Sequence, residues 1–406
     1  MNSQQMNLPN IDRFQCASIP AVYFGAGVIK NIGATASRYG TSALLVTGGS
    51  SLARTGNLEV IVSRLKDANI TVSHTTVTGE PSPEGVDEVV SEYRGKGVDL
   101  VISIGGGSVI DFGKAVSAMM PAEGSVLDYL EGVGTKSPDG KKLPFLACPT
   151  TAGTGSEATK NAVLSRVGDA GFKKSLRHDK YIPDAAIIDP ELAVDCPHNI
   201  TAACGMDAFT QLLEAYVSTK ANPMTDALSE NGLRYITDAL VSSATEGKGN
   251  VAVRGSMAYA AFLSGVTLAN AGLGVVHGLA APVGGRFPIP HGVVCANLMG
   301  PALRLTVAEL IEAGDDPESY TVLNKIARIG MLFSDGRDRD ALDVIGGARR
   351  LVDGVHDITD RLDIPRLGTY GMTEKDVDAI VKKADNKNNP APLTADQMRQ
   401  ILLERI

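Results

Sequence analysis

The pattern of hydrophobic and polar residues changes near residue 190. Before that point, short β-branched and apolar runs alternate with amphipathic segments whose apolar residues recur three and four positions apart. Two such segments, Asn57–Ala68 and Glu84–Lys96, predict helices, and residues 20–27 predict an outer hairpin strand. Strands alternating with helices predict a parallel sheet that is covered on both faces. The five runs that predict its strands are Ala43–Gly48, Thr71–Thr78, Leu100–Ile104, Phe145–Cys148 and Ala185–Asp189.

After Pro190 the strand pattern ends and long segments rich in Ala, Leu and Met follow. Their apolar residues are three and four positions apart, which predicts helices. We therefore predict a fold of the α/β plus all-α class, with an α/β domain at 1–192, a helical domain at 193–406 and a cleft between them. The predicted helices are Ala202–Ser218, Met224–Ser243, Val251–Ala271, Tyr320–Phe333, Arg339–Arg361, Glu374–Asp385 and Thr394–Glu404.

Composition narrows the possible functions. The 406 residues carry a net charge of −8, which argues against a nucleic-acid binder or a protein that binds anionic membranes. No uninterrupted apolar run approaches the length of a membrane span, and the N-terminus has no signal-peptide pattern. The five scattered cysteines form no CxxC pair, so we expect a reduced, cytoplasmic protein. The chain has 44 glycines and only 6 histidines, so the positions of these residues are informative about candidate binding sites.

A run of three glycines and a serine, Gly105, Gly106, Gly107 and Ser108, follows a predicted strand and opens a helix. Glycine lets the backbone approach a ligand closely, and the N–H groups and dipole of the helix N-terminus suit a pyrophosphate. A tight strand-to-helix turn without a ligand is the structural alternative. The position directly after a buried strand favours phosphate binding.

Two further turns bear on the cofactor. The segment 149–157 (PTTAGTGSE) follows another strand and is either a second dinucleotide-binding turn or an N-capped helix start. Strand Ala43–Gly48 is followed by Ser50 and, beyond it, by Arg54, with no carboxylate to receive ribose hydroxyls. Small hydroxylated residues beside an arginine accept a 2′-phosphate, so NADP is favoured over NAD.

Four residues suggest a metal site. Asp207 and Gln211 are four positions apart and share one helix face. His277 and His291 lie fourteen positions apart in apolar segments flanked by glycine. A single histidine in such a segment is more often a core residue, but two of them together with an aspartate favour a divalent ion such as Fe²⁺ or Zn²⁺.

At this point the sequence resembles the iron-dependent (group III) alcohol dehydrogenases. The resemblance covers nearly the whole chain, and it implies a Rossmann-like dinucleotide-binding domain followed by an all-helical domain that holds one divalent metal. The motifs that carry it are GGGSVIDFGK (105–114), PTTAGTGSEAT (149–159), IPDAAIIDPEL (182–192), GMDAFTQLLEAYVS (205–218), VVHGLAAP (275–282) and PHGVVCANLMGP (290–301).

The resemblance also implies site residues. It places Asp207, His277 and His291 on the metal. At the cofactor it places Gly105, Gly106, Gly107, Ser108, Asp111, Thr150, Thr151, Thr154, Asn161, Lys173 and Leu192. Gly48 and Ser50, at the end of the strand Ala43–Gly48, are also expected there.

The sequence departs from the family at two positions. Most members have a histidine four residues after the aspartate, where this chain has Gln211, and commonly another where it has Ala281. A glutamine carbonyl is a weaker ligand than imidazole. Three interpretations stay open: Gln211 ligates iron weakly, a three-ligand site holds Zn²⁺, or the metal is lost. Two cysteines, Cys148 and Cys295, are expected to be small core residues.

The expected function is reversible hydride transfer between NAD(P)H and a small alcohol/aldehyde or ketone pair. The metal acts as Lewis acid, and no side chain stands out as an independent acid. A related lyase or a phosphorylated-polyol dehydrogenase is less favoured, because the region 275–299 offers only Arg286 as a cation. A non-catalytic dinucleotide-binding protein with an impaired metal site is the other alternative. The resemblance suggests a homodimer or larger homo-oligomer.

Overall fold

A six-stranded parallel sheet organises the first half of the protein. The computed structural model describes residues 13–168, 171–333 and 343–406. The sheet has the strand order β1-β8-β5-β4-β2-β3, and β6 and β7 form a separate antiparallel hairpin. The strands are β1 (Ala21–Phe24), β2 (Ser42–Gly48), β3 (Thr71–Val77), β4 (Leu100–Gly105), β5 (Phe145–Pro149), β6 (Asn161–Arg166), β7 (Phe172–Arg177) and β8 (Ala185–Ile188).

Helices cover the sheet and build the second half of the protein. Those of the first half are α1 (Ile32–Ala36), α2 (Ser51–Arg54), α3 (Asn57–Asp67), α4 (Pro83–Tyr93) and α5 (Gly107–Met119). Those of the second half are α6 (His198–Val217), α7 (Pro223–Ala244), α8 (Val251–Ala271), α9 (Val275–Arg286), α10 (His291–Glu312), α11 (Pro317–Gly330), α12 (Val344–Arg361), α13 (Val377–Val381) and α14 (Ala395–Leu403).

The sheet separates two apolar layers because alternate residues of each strand point to opposite faces. On β2, Leu44 and Val46 pack with one cluster and Ala43 and Leu45 with the other. A third, larger cluster fills the space among the helices after residue 198. The predicted fold class is confirmed. The division of the chain after residue 192 stays a prediction.

The five predicted strands of the sheet are present within one or two residues of their expected ends. The outer strand is also present, but the predicted hairpin is wrong. Strand β1 pairs in parallel with β8, with Ala21 opposite Ala185, so its partner lies far along the chain. The hairpin β6–β7 was not predicted, because β6 has an apolar run of only three residues and β7 is rich in lysine and arginine.

Helices α9 and α10 were also not predicted. Their glycines and the internal prolines Pro282 and Pro301 interrupt the expected helical composition. Both helices are largely buried, and tertiary packing outweighs their weak intrinsic helix propensity. Helix α12 begins at Val344, and the earlier part of the predicted helix, from 339 to 342, lies outside the described residues.

Helix α8 packs closely on the turn between β5 and β6. Gly155 has a φ of +59°, and a Cβ at this position would overlap the backbone of Gly265. Glycine is therefore required on the turn for both its conformation and its contact. This contact joins the α/β layer to the helical layer.

Two helices, Val251–Ala271 and His291–Glu312, are long and apolar enough to cross a bilayer by length and composition. They are 61% and 78% buried inside the protein. Buried core helices satisfy the same criteria, so these two helices are weak evidence for a membrane location.

A buried lysine ties the turns of the α/β layer together. Lys114 on α5 is 1% exposed, and its Nζ donates to Ser156 O at 2.7 Å, Asn161 O at 2.8 Å and Thr159 Oγ1 at 3.1 Å. Asp111, one turn earlier, lies 3.7 Å from Nζ. Burial lowers the pKa of Lys114 to about 8, although Asp111 opposes the shift.

We expect Lys114→Met to destabilise the protein by about 3 kcal/mol or more, because it leaves buried Asp111 and several carbonyl oxygens without their cationic partner. Denaturant unfolding of the purified variant measures the change. Lys96→Met is the control, since Lys96 pairs with Glu92 on the surface and its loss costs about 1 kcal/mol or less. Equal stabilities for the two variants would contradict the role given to Lys114.

Candidate metal centre

Helices α6, α9 and α10 bring together the residues that the sequence suggested as metal ligands. Asp207 and Gln211 lie one turn apart on α6, His277 is the third residue of α9 and His291 is the first residue of α10. Asp207 Oδ1 lies 3.4 Å from His277 Nε2 and 3.7 Å from His291 Nε2. The two imidazole rings are 5.3 Å apart between centroids.

The residues present fit a divalent cation. Asp207 is 2% exposed, and its Oδ1 makes no hydrogen bond. A buried carboxylate oxygen without a partner is costly unless a cation faces it. Carboxylate and imidazole together suit Fe²⁺ or Zn²⁺.

Burial and neighbouring charges set the protonation of these groups. Burial lowers the pKa of His291 to about 3, which leaves a neutral imidazole. For Asp207, burial opposes ionisation, but the adjacent histidines outweigh it and hold the pKa below its ordinary value. The site therefore offers an anionic oxygen on Asp207 and an unprotonated ring nitrogen on His291. Burial lowers the pKa of His277, but Cys295 and Glu214 outweigh it and hold that pKa well above its ordinary value, so His277 would release a proton when it binds a cation.

Glu214 is a functional residue for which the sequence analysis gave no role. It lies seven residues after Asp207, on the same helix face, and its Oε2 accepts a hydrogen bond from His277 Nδ1 at 2.6 Å. Its Oε1 accepts from the Val276 N–H at 2.7 Å. The Nδ1 proton leaves His277 Nε2 free to ligate, which is the usual carboxylate–histidine–metal arrangement. The i, i+7 spacing was the available signal.

Cys295 was expected to be a small core residue. It is indeed fully buried, but its Sγ lies 3.7 Å from the Nε2 atoms of both His277 and His291. One ligand atom from each of Asp207, His277, His291 and Cys295 lies within 4.8 Å of the other three. The available signal was the four-residue spacing from His291 to Cys295. The other expected core cysteine, Cys148, is buried in β5.

Gln211 also faces the site, but its side chain already has a partner. Its Oε1 accepts a hydrogen bond from Ser264 Oγ on α8 at 2.7 Å, and both residues are buried. This contact holds the glutamine carbonyl against α8.

A solvent-open cleft of about 1020 Å³ lies beside these residues, between the sheet and the helices. The hairpin β6–β7 contributes Lys173 to its wall, and Ala281 also lines it. It is lined by all four suggested metal-site residues and by several suggested cofactor residues, namely Gly107, Ser108, Asp111, Thr154, Asn161 and Lys173.

The remaining suggested cofactor residues lie near the carboxyl edge of the sheet or beyond it. Gly48 ends β2 and Gly105 ends the adjacent β4, at the point where successive connections leave in opposite directions. Such a switch point is the usual dinucleotide crevice. The Thr150 N–H donates to Gly105 O, Gly106 faces Thr151, and Ser50 precedes α2. Leu192 instead packs against the apolar cluster on one face of the sheet.

Two family models match the chain. One, described as iron-containing alcohol dehydrogenase, matches residues 20–190, and the other, the C-terminal part of the Fe-containing alcohol dehydrogenase family, matches residues 201–406. The chain belongs to the iron-containing alcohol dehydrogenase family. The resemblance stated from the motifs and the predicted enzyme class are confirmed.

Individual iron-containing alcohol dehydrogenases align along nearly the whole chain. Long-chain-alcohol dehydrogenase 1 of Geobacillus thermodenitrificans strain NG80-2 is 32% identical, with 94% of each chain covered. The NAD-dependent methanol dehydrogenase of Bacillus methanolicus is 30% identical, covering 94% of this chain and 97% of the relative. The solved structure of a 1,3-propanediol oxidoreductase has a TM-score of 0.85 at 28% identity, covering 97% of this chain and all of the other.

In this member of the iron-containing alcohol dehydrogenase family, we expect Glu214→Gln to weaken metal binding by about 10- to 100-fold, because the amide removes the charge that orients His277. Titration of metal-depleted protein with Zn²⁺ measures the change. Glu92→Gln, at an exposed helix position, serves as control and should bind zinc like the parent. Unchanged affinity in Glu214→Gln would contradict the orienting role.

Proposed function

We propose that this protein oxidises small alcohols and reduces the corresponding aldehydes or ketones with a nicotinamide cofactor and one divalent metal. The observation that carries the proposal is that the glycine-rich turn after β4 and the Asp207–His277–His291 cluster line one cleft. When bound, the metal would supply Lewis acidity to the substrate oxygen and the nicotinamide would supply or accept the hydride.

The chain's own residues bind and orient the reactants. Asp207, His277 and His291 hold the metal, and Glu214 fixes the ring of His277 through Nδ1. The N-terminus of α5 presents backbone N–H groups to the cofactor pyrophosphate, beginning at Gly107. Gly107 also lets the backbone lie against Thr154, because a Cβ there would overlap the threonine side chain.

No side chain in the cleft stands out as a separate proton donor to the alkoxide. Where relatives commonly have a second histidine, Ala281 lines the cleft, and the cleft-lining histidines among the described residues are the two suggested ligands. The proton is therefore exchanged with solvent or through a cofactor hydroxyl. Without a separate acid in the cleft, the proposed metal would be the main group that stabilises the alkoxide.

The substrate that fits this cleft is a small neutral alcohol. Three cations line the cleft, namely Lys173, Arg177 and Lys387. Two of them are already paired, Lys173 with Glu80 at 3.0 Å and Arg177 with Glu131 at 3.4 Å. Paired cations are less able to hold a phosphorylated substrate, which disfavours the related lyase and polyol dehydrogenase alternatives. The names of the relatives, with long-chain alcohols, methanol and 1,3-propanediol, support an unphosphorylated alcohol.

Removal of the metal tests the Lewis-acid role. We expect dialysis against a chelator to lower aldehyde reduction by at least about 100-fold, and added Fe²⁺ or Zn²⁺ to restore it. Dinucleotide binding, followed by nicotinamide fluorescence, should persist because the glycine-rich turn does not need the metal. Unchanged turnover after metal removal would contradict the proposal. Dinucleotide binding with no metal and no turnover in the purified protein would favour the non-catalytic alternative.

We further propose that the cofactor is NADP rather than NAD. The turn after β2 contains Gly48, Gly49 and Ser50 and no carboxylate. Arg54 at the end of α2 is exposed, and its guanidinium makes no hydrogen bond or ion pair within the described residues. A free guanidinium beside small residues suits a 2′-phosphate. The Bacillus methanolicus relative is named as NAD-dependent, so the preference rests on these residues of this chain.

We expect Arg54→Gln to raise the KM for NADP⁺ by about tenfold and to leave the KM for NAD⁺ unchanged, since one charge-assisted contact is lost. Steady-state kinetics with both cofactors measure the ratio. Lys66→Gln, which removes another exposed cation on α3, should change neither value. Equal effects on both cofactors would argue against 2′-phosphate recognition.

The assembly and location of the protein are also proposals. The edge strand β1 exposes Val22 and Phe24, at 39% and 42%, and its outer edge has no strand partner among the described residues. An unpaired apolar edge favours association with a second copy. A homodimer or larger assembly through β1 follows. The scattered, unpaired cysteines support a cytoplasmic location.

A further inference from the structure

We propose that Cys295 is the fourth protein ligand of the metal and takes the place that Gln211 leaves vacant. The proposal rests on the proposed metal-dependent function and names the ligand set of that same site as Asp207, His277, His291 and Cys295. Cys295 is fully buried and would otherwise be regarded as an ordinary core side chain.

Four of the six distances between the ligand atoms are close to those expected around a four-coordinate metal. Bonds of about 2.1 Å to nitrogen or oxygen and about 2.3 Å to sulfur separate tetrahedral ligand atoms by about 3.3–3.6 Å. Cys295 Sγ lies 3.7 Å from both histidine Nε2 atoms, and Asp207 Oδ1 lies 3.4 and 3.7 Å from them. One of these four separations lies in that range and the other three exceed it by about 0.1 Å, and the remaining two are no longer than 4.8 Å.

The backbone positions the thiol at this point. His291 and Cys295 are four residues apart on α10, so both side chains leave the helix on the same face, toward α6. Cys295 is fully buried and Asp207 is 2% exposed, whereas the His291 side chain is 25% exposed beside the cleft. The four ligands thus approach from the protein interior, and the substrate oxygen would reach the metal from the cleft side as a fifth ligand.

Gln211 is a poorer candidate for the fourth ligand. Its carbonyl oxygen already receives the Ser264 hydroxyl at 2.7 Å, and an amide oxygen is neutral and hard. A cysteine binds as the thiolate, which is a stronger and softer ligand. When the metal–sulfur bond forms, the S–H bond breaks and its proton goes to solvent, so no oxidant or reductant is needed.

A thiolate ligand predicts the metal preference. Among Fe²⁺ and Zn²⁺, softer sulfur ligation in a mixed Asp-His-His-Cys set favours Zn²⁺, whose affinity for such sites exceeds that of Fe²⁺. The presence of Gln211 where most family members have a histidine therefore does not imply that the metal site is lost.

Cobalt substitution tests the ligand directly. The metal-depleted full-length protein is loaded with Co²⁺, and its near-ultraviolet spectrum is recorded. Cobalt bound to a thiolate gives an intense charge-transfer band there, which oxygen and nitrogen ligands do not give. We expect this band in the parent and in Gln211→Ala, and its loss in Cys295→Ser and Cys295→Ala. Zinc affinity in both Cys295 variants should fall by more than the roughly 100-fold that loss of an outer-shell partner costs.

Cys204→Ala is the matched control. Cys204 lies on α6 one turn before Asp207, but it is not among the residues whose ligand atoms cluster. Its removal should leave the band in place. Zinc-edge X-ray absorption of the parent gives a second measurement that does not depend on any variant folding, and it should show one sulfur at about 2.3 Å.

The outcomes separate the two proposals. Bound cobalt without the charge-transfer band, or zinc without a sulfur neighbour, would overturn the Cys295 ligand and leave the metal-dependent function standing. A band that survives in Cys295→Ala would also overturn it. Failure of the parent to bind iron, cobalt or zinc would overturn both proposals.

Discussion

The buried ammonium group of Lys114 is the interaction on which the cofactor side of the structure depends. A charged group in the interior must be surrounded by hydrogen-bond acceptors. Its acceptors are backbone and side-chain oxygens of Ser156, Thr159 and Asn161, which belong to the second glycine-rich turn and to the start of β6. Helix α5 with its glycine-rich turn, the second turn and the hairpin are therefore fixed to one another through a single side chain.

This constraint extends to the metal site through packing. Ser156 follows Gly155, whose backbone lies against Gly265 of α8. Ser264, the preceding residue of α8, donates to Gln211 on α6, one turn from Asp207. A short series of contacts thus joins helix α5, which follows the glycine-rich turn, to helix α6, which carries Asp207. The position of a bound nicotinamide relative to a bound metal would depend in part on this series.

The sequence was sufficient to predict most strands of the sheet and four residues of the candidate metal site. It was not sufficient to predict which strands pair or which further residues contact that site. A strand with buried, apolar faces can be predicted from its own local pattern. The pairing of β1 with β8 cannot, because the two strands are separated by most of the first half of the chain. The residues missed at the site, Glu214 and Cys295, have ordinary local surroundings, and their roles depend on distances to His277 that only the fold sets. Helices α9 and α10 were missed because tertiary burial, and not propensity, stabilises them.

A thiolate in place of a histidine changes the charge of the site as well as its ligand chemistry. Asp207, Glu214 and an ionised Cys295 would place three negative charges around one divalent ion. The added charge weakens the ion as a Lewis acid. Two lysines that line the cleft, Lys173 and Lys387, lie close enough to His291 to lower its pKa and would act on an ion bound there, although Lys173 is also paired with Glu80. Cations at the cleft wall would thus offset part of the charge that the thiolate adds, which accounts for a soft ligand at a site that must still polarise a carbonyl.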